Sequence, residues 1–205
     1  MAITYPLDMP TSPAPRGASL YIIRMQTSER SFSGFLQVQP NPGDRWTGKI
    51  TMPTLSKDQA QEWTGFFASL NGLLGSFLLP HPDFKTMRGS ANGSTGFVLG
   101  GGQKGTEIAT TGWPANATFK RGDMLQFGTG AKARMKQVSI DAQASSSGAV
   151  TLDVEPAFLI APDHNATIET TDVKGVFRLA ESSVVPQSDL LSHHVLSFPV
   201  EEVLK

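Results

Sequence analysis

The sequence predicts a mainly β protein with one α-helix, in which one small β module is inserted into another. Three observations lead there. Glycine and proline, 20 and 14 of the 205 residues, are spread along the chain, as many turns between short strands require. From about Gly93 to Thr171 the sequence reads as closely spaced short strands and turns. The flanks read differently, with short strands and one strong helical pattern before this run and two short strands after it. The expected organisation is an outer β domain formed by residues 1–86 and 172–205, with a helix at about 57–71, and an inserted β-barrel at 87–171. A chain of this length suits one or two compact domains with a real core.

The opening stretch carries Pro6, Pro10, Pro13 and Pro15, which remove backbone donors and favour extended chain. An arm or a surface-hugging leader is expected. Ser19 to Met25 is the first strand candidate, apolar on both faces, and Phe32 to Val38 is the second. Pro40-Asn41-Pro42-Gly43-Asp44 then reverses the chain. Arg45 to Met52 alternates, with Trp46, Gly48, Ile50 and Met52 on one side, the signature of a half-buried strand.

Ser56 is a candidate N-cap, with Gln59 completing a capping box and Leu55 and Ala60 at the staple positions. Ala60, Trp63, Phe67 and Leu70 fall on one helical face. Burying Trp63, Phe67 and Leu70 would contribute about 1.5–3 kcal/mol each. Asn71-Gly72 tolerates the left-handed backbone that ends a helix. Ser76 to Leu79 is a short buried strand, stopped by Pro80-His81-Pro82.

Arg88 to Ser94 reads as a linker. Beyond it, strand candidates fall at Phe97–Leu99, Thr106–Ala109, Met124–Phe127, Arg134–Ile140, Ala149–Glu155 and Thr167–Glu169, with a polar loop over Ala142–Gly148. Five or six short strands in such a length suit a small closed or sandwiched barrel. Val176–Leu179 and His194–Val200 then return to apolar strand patterning, and Pro199 marks the latter as an edge strand or one that ends early. Residues 1–85 alone give a thin core, so these last strands are expected to complete the first domain.

No chemistry-bearing constellation emerges. Gly100-Gly101-Gly102-Gln103-Lys104-Gly105 matches the dinucleotide fingerprint, but a β-branched run and then Gly112-Trp113-Pro114 follow where a helix must begin, so a turn is expected. Arg121-Gly122-Asp123 reads as a turn into a strand. Asn92, Asn116 and Asn165 open glycosylation sequons that mark surface loops. His81, His164, His193 and His194 lack chelating spacing; loop and edge polarity is the expectation, with His193 and His194 on opposite faces of a strand. Asp153 and Glu155, i and i+2 on a strand and about 7 Å apart, could imitate a glycosidase pair, but outward polar positions explain them better. No serine combines a nucleophile-elbow setting with a histidine partner. Catalytic, cofactor-binding and metal-binding residues are accordingly expected to be none, no cofactor is implied, and no enzymatic activity is expected.

Composition narrows the classes further. The formal net charge of −1 offers no basic excess for reading phosphates, although a duplex passing through a neutral lumen needs no affinity. The absence of cysteine removes disulfides and thiol chemistry and fits a chain made in a reducing cytosol. No stretch approaches the about 20 apolar residues of a membrane helix, so membrane insertion is not expected. Met1-Ala2-Ile3-Thr4-Tyr5-Pro6 lacks a basic region followed by an apolar run, and a secretion signal is not expected.

Four pieces, in order, carry a likeness. They are Gln61 to Leu70 with Gly72 and Gly75 to Pro80; Lys104-Gly105 with Phe119 to Phe127; Val138 to Asp141 with Gly148 and Val150 to Ala157; and Lys174 to Leu179. Together they resemble the distal tail protein family of long-tailed (siphovirus-type) bacteriophages and related prophage tail proteins. The resemblance implies a tail-tube-like β-sandwich with one α-helix, carrying an inserted small OB-like β-barrel. It implies a homo-oligomer, a hexameric ring at the distal end of the tail, joining the tail tube protein to baseplate hub or fibre proteins. It places the protein in the virion, at the tail tip, after synthesis in the host bacterial cytoplasm, with DNA passing through the lumen without specific binding. The competing expectation is a carbohydrate-binding adhesion module contacting the host envelope, with Phe97, Trp113, Phe119, Phe127 and Phe158 as the available aromatics.

Overall fold

The computed structural model describes residues 3–184, 186–188 and 194–204. Its first part holds β1 (Leu7–Asp8), β2 (Gly17–Ile23), β3 (Gln26–Arg30), β4 (Leu36–Pro40), β5 (Arg45–Thr51), α1 (Lys57–Leu70) and β6 (Phe77–Pro80). The middle holds β7 (Thr95–Val98), β8 (Gly105–Thr111), β9 (Thr118–Phe119), β10 (Met124–Phe127), β11 (Arg134–Val138), β12 (Ala142–Gln143), β13 (Val150–Phe158) and β14 (Thr167–Glu169). A 3-10 turn at Gly130–Lys132 precedes β11, and β15 (Lys174–Leu179), β16 (Gln187–Ser188), β17 (His194–Val195) and β18 (Ser197–Glu202) follow the middle part.

Strands from both ends of the chain share one six-stranded sheet in the order β1-β6-β15-β18-β5-β2. Val176 lies opposite Leu78, and Phe198 opposite Ile50. The chain therefore leaves this sheet after β6 and returns to it at β15, and Thr86 bridges Thr171 where the two crossings meet. On β5, Trp46, Gly48 and Ile50 are buried as the alternation predicts. Gly48 has no substitute, because a Cβ there would lie 1.9 Å from the Ser19 carbonyl oxygen on β2.

α1 packs across this sheet. Ser56 accepts from the Gln59 N–H while the Gln59 side chain accepts from the Ser56 N–H, so the capping box forms; Asn71 ends the helix at φ 51°. Trp63 and Phe67 lie 5.8 and 5.1 Å from Phe198 between ring centroids. Phe66, outside the predicted face, is also buried, 5.6 Å from Phe77. The helix thus rests on a ring that arrives only with the last strand.

The middle strands close into a barrel in the order β10-β11-β13-β8-β7-β14. Val98, Ile108, Leu125, Phe127, Leu152, Val154 and Ile168 fill it, and Trp113 and Phe119 pack edge to face at 4.8 Å. The Trp113 indole N–H donates to the Thr110 hydroxyl. β10 and β11 serve two cores: Leu125, Phe127 and Val138 turn into the barrel, while Met124 and Met135 join the core of the sheet.

Several expectations are corrected. The strand expected over Phe32–Val38 is displaced: β3 pairs with β4, and Ser31–Phe35 form the tip of an exposed hairpin closed by Gly34 at φ +87°. Its apolar residues Phe32, Phe35, Leu36 and Val38 are all exposed. Pro199 lies on a central strand, between β15 and β5. Its carbonyl accepts from the Ala180 N–H, just past the end of β15. The missing donor therefore faces the place where that ladder has finished, and pairing with Lys49 on β5 continues. The loop over Ala142–Gly148 begins as β12, paired with β9, and Ala144 is buried. Of the two expectations for the proline-rich leader, the surface-hugging one is observed: β1 pairs with β6 in parallel, Leu7 and Met9 pack on the core, and the Tyr5 hydroxyl donates to the Ser69 carbonyl at 2.7 Å.

Replacing Phe198 with alanine removes the ring on which Trp63 and Phe67 rest. We expect a loss of about 3–5 kcal/mol, read as a lowered midpoint in urea unfolding.

Candidate assembly surfaces

The residues weighed as chemical candidates are tied into structure. Gly100–Gly105 is the turn between β7 and β8, braced by the Gln103 side chain, which accepts from the Ala109 N–H and donates to the Leu99 carbonyl. Asp123 of the Arg-Gly-Asp triplet is 3% exposed and accepts from the N–H groups of Arg88, Gly89 and Lys120. It fastens the incoming linker to the barrel. Asp153 accepts from the Ser139 hydroxyl, and Glu155 pairs with Arg24 at 2.8 Å. Asn92, Asn116 and Asn165 are exposed, as surface loops predict.

Loop polarity does not describe His81, which is buried. Its Nδ1 accepts from the N–H groups of Asp83 and Phe84, and its ring stacks on Phe84 at 4.7 Å. Burial lowers its pKa, against a smaller opposing pull from Asp83. His164 accepts from the Gly100 N–H, and His194 lies on β17; His193 falls outside the described residues. Among the described residues no group of three or more His, Asp or Glu is placed to hold a metal. No described helix is long and apolar enough to cross a membrane.

The sheet and the barrel meet through buried polar groups. Lys136 on β11 and Glu202 on β18 are 2% and 3% exposed, with Nζ 3.7 Å from Oε1. Glu202 also accepts from the Trp46 N–H at 3.1 Å, the Trp46 indole donates to the Met135 carbonyl at 2.9 Å, and Lys136 lies 4.8 Å above the Phe158 ring. Burial pushes the Glu202 carboxyl up and the Lys136 ammonium down, and each opposes the other's shift. The Val176 N–H donates to the Ala133 carbonyl, and the Lys174 N–H to the Gln126 side chain. At the rim Arg24 joins Asp44, at the base of the β3–β4 hairpin, to Glu155 of the barrel.

Two surface features stand out. The β3–β4 hairpin has every residue exposed, with Phe32 fully in solvent and Phe35 77% exposed. Tyr21, Ile23 and Met25 extend the exposed apolar surface along β2 to its base. Exposed apolar surface of this kind is a candidate interaction site. The second feature is a cleft of about 510 Å³ beside the barrel, between Phe127–Arg134 and Ile160–Thr167. A smaller one of about 170 Å³ adjoins it, sharing Arg134 and Ile160 and reaching Lys136 and Glu202. Of the five aromatics considered for glycan stacking, only Phe97 is exposed; Trp113, Phe119, Phe127 and Phe158 are core.

Among the described residues the protein is mainly β, with one long helix and a closed six-stranded barrel. Its sequence matches no protein-family model and no curated protein.

Two measurements probe the electrostatics. Lys136→Met leaves the Glu202 carboxylate buried without its counter-charge, and we expect a loss of about 3–5 kcal/mol in chemical denaturation, mostly recovered in Lys136→Met/Glu202→Leu. For His81 the unfolded chain takes up its proton near 6.5, above the lowered folded value. As pH falls below about 6.5 the unfolded state binds more protons and folding weakens. His81→Gln keeps an acceptor that does not titrate, so wild type should lose melting temperature relative to it on going from pH 7 to pH 5.

Proposed function

We propose that this chain is a structural protein that assembles into a hexameric ring at the distal end of a bacteriophage tail, connecting the tail tube to the baseplate hub or fibre. The observation that carries the reading is the sheet interrupted by a closed barrel and completed by the last strands. This is the organisation that the resemblance implies. In this reading the sheet and α1 form the tail-tube-like sandwich, the barrel is the OB-like insert, and residues 1–86 and 172–205 make up the outer domain. The exposed apolar hairpin supports it, because a head-to-tail contact that closes by rotation needs a surface of that kind. The role is one of building, with no reaction. DNA crosses the open centre without specific binding, in keeping with a net charge of −1. The adhesion alternative is weaker, since stacking on a sugar needs exposed rings and four of the five aromatics are core.

The purified protein, by native mass measurement and negative-stain electron microscopy, should give six-membered rings with an open centre, alone or when added to tail tubes. Persistent monomers that retain envelope glycans, or strong DNA retention at physiological salt, would overturn the reading.

A further inference from the structure

We propose that the tip of the β3–β4 hairpin of one copy seats in the cleft beside Arg134 of a second copy, with Phe35 against the apolar wall and the Glu29 carboxylate on the guanidinium. The inference rests on the reading that the chain self-assembles, and names the contact.

The hairpin register places the two groups together. Glu29 lies opposite Gln37, and the Ser31 N–H donates to the Phe35 carbonyl. Glu29 and Phe35 therefore share one face as diagonal neighbours about 7–8 Å apart. Arg30 and Leu36, opposite one another, take the other face. Among the described residues Glu29 makes no ion pair.

The cleft offers the complement. Ala131, Ile160, Pro162 and Ala166 give it apolar walls, and its volume of about 510 Å³ lies in the range of ligand-sized sites. Arg134 is half-buried, donates to the Ile160 carbonyl at 3.1 Å, and has no carboxylate within ion-pair distance among the described residues. The two nearby acids are engaged elsewhere: Asp163 by Lys132, and Glu202 by Lys136 and the Trp46 N–H. A partly desolvated cation without a counter-ion favours an arriving carboxylate. Knob and socket occupy different surfaces of one chain, so each copy both gives and receives, and such a contact makes a ring if its rotation closes.

Two measurements decide it. The chain has no cysteine, so Ser33→Cys and Ala161→Cys can be introduced in separate copies, mixed and oxidised. A disulfide-linked heterodimer is the expected product. Separately, Glu29→Arg, Arg134→Glu and Phe35→Ser should each weaken self-association by about tenfold or more in sedimentation equilibrium, and Glu29→Arg/Arg134→Glu should restore it. Should Arg134→Glu fail to fold, the cross-link decides alone, since neither cysteine replaces Glu29, Phe35 or Arg134. Rings that form without the cross-link overturn the inference and leave the ring reading standing. Absence of self-association at every concentration, and on tail tubes, overturns both.

Discussion

The buried contact between Lys136 and Glu202 is the constraint on which the arrangement of the two β modules depends. One charge comes from the barrel and the other from the last strand of the sheet, and both are almost fully buried. Ionic groups in that setting are tolerated only with a partner and with their remaining hydrogen-bonding capacity used. Glu202 uses its second oxygen on the Trp46 backbone, and the Trp46 indole reaches back to Met135 beside Lys136. These bonds form a closed circuit through β5, β11 and β18. Sliding the barrel by one residue against the sheet would strand a charge and an indole together. Apolar packing of Met124 and Met135 against the sheet core supplies adhesion without direction, and the polar circuit fixes the register.

What could be read in the sequence follows the range of the interaction. α1 was legible to its caps because a capping box, an i, i+3 stripe and a left-handed asparagine are local features. β5 and β13 were legible through period-two alternation. The return of the chain to its first sheet was inferred from a shortage of core, which is an argument from volume. The misreadings are equally specific. Pro199 was assigned to an edge strand or one that ends early because proline lacks a donor, yet the direction in which that donor would point depends on where β15 stops. Phe32 to Val38 was read as one strand, yet the turn over Ser31–Phe35 and the register of β3 with β4 place its first residues in the hairpin tip.

Of the candidate surfaces, little was visible beforehand. Lys136 and Glu202 lie far apart in sequence, and nothing local marks either as buried. Met135 and Lys136, consecutive residues on opposite faces of β11, are both buried, so both faces of that strand are covered. The Arg134 cleft is assembled from a turn, a strand end and the loop after β13, whose proximity arises only from barrel closure. The hairpin was present in the sequence as apolar character. Its freedom from any covering layer is a tertiary fact.

The bridge between Thr86 and Thr171 has a kinetic consequence. β6 and β15 are neighbours in the sheet, yet the entire barrel separates them along the chain. Joining them directly from the unfolded state means closing a very long loop before any pairing is rewarded. Once the barrel has folded, its two ends already touch, and the distance to be closed shrinks to a few residues on each side. Completion of the outer sheet is entropically cheap after that event and expensive before it, so the insert acts as an internal clasp that schedules the assembly of its host.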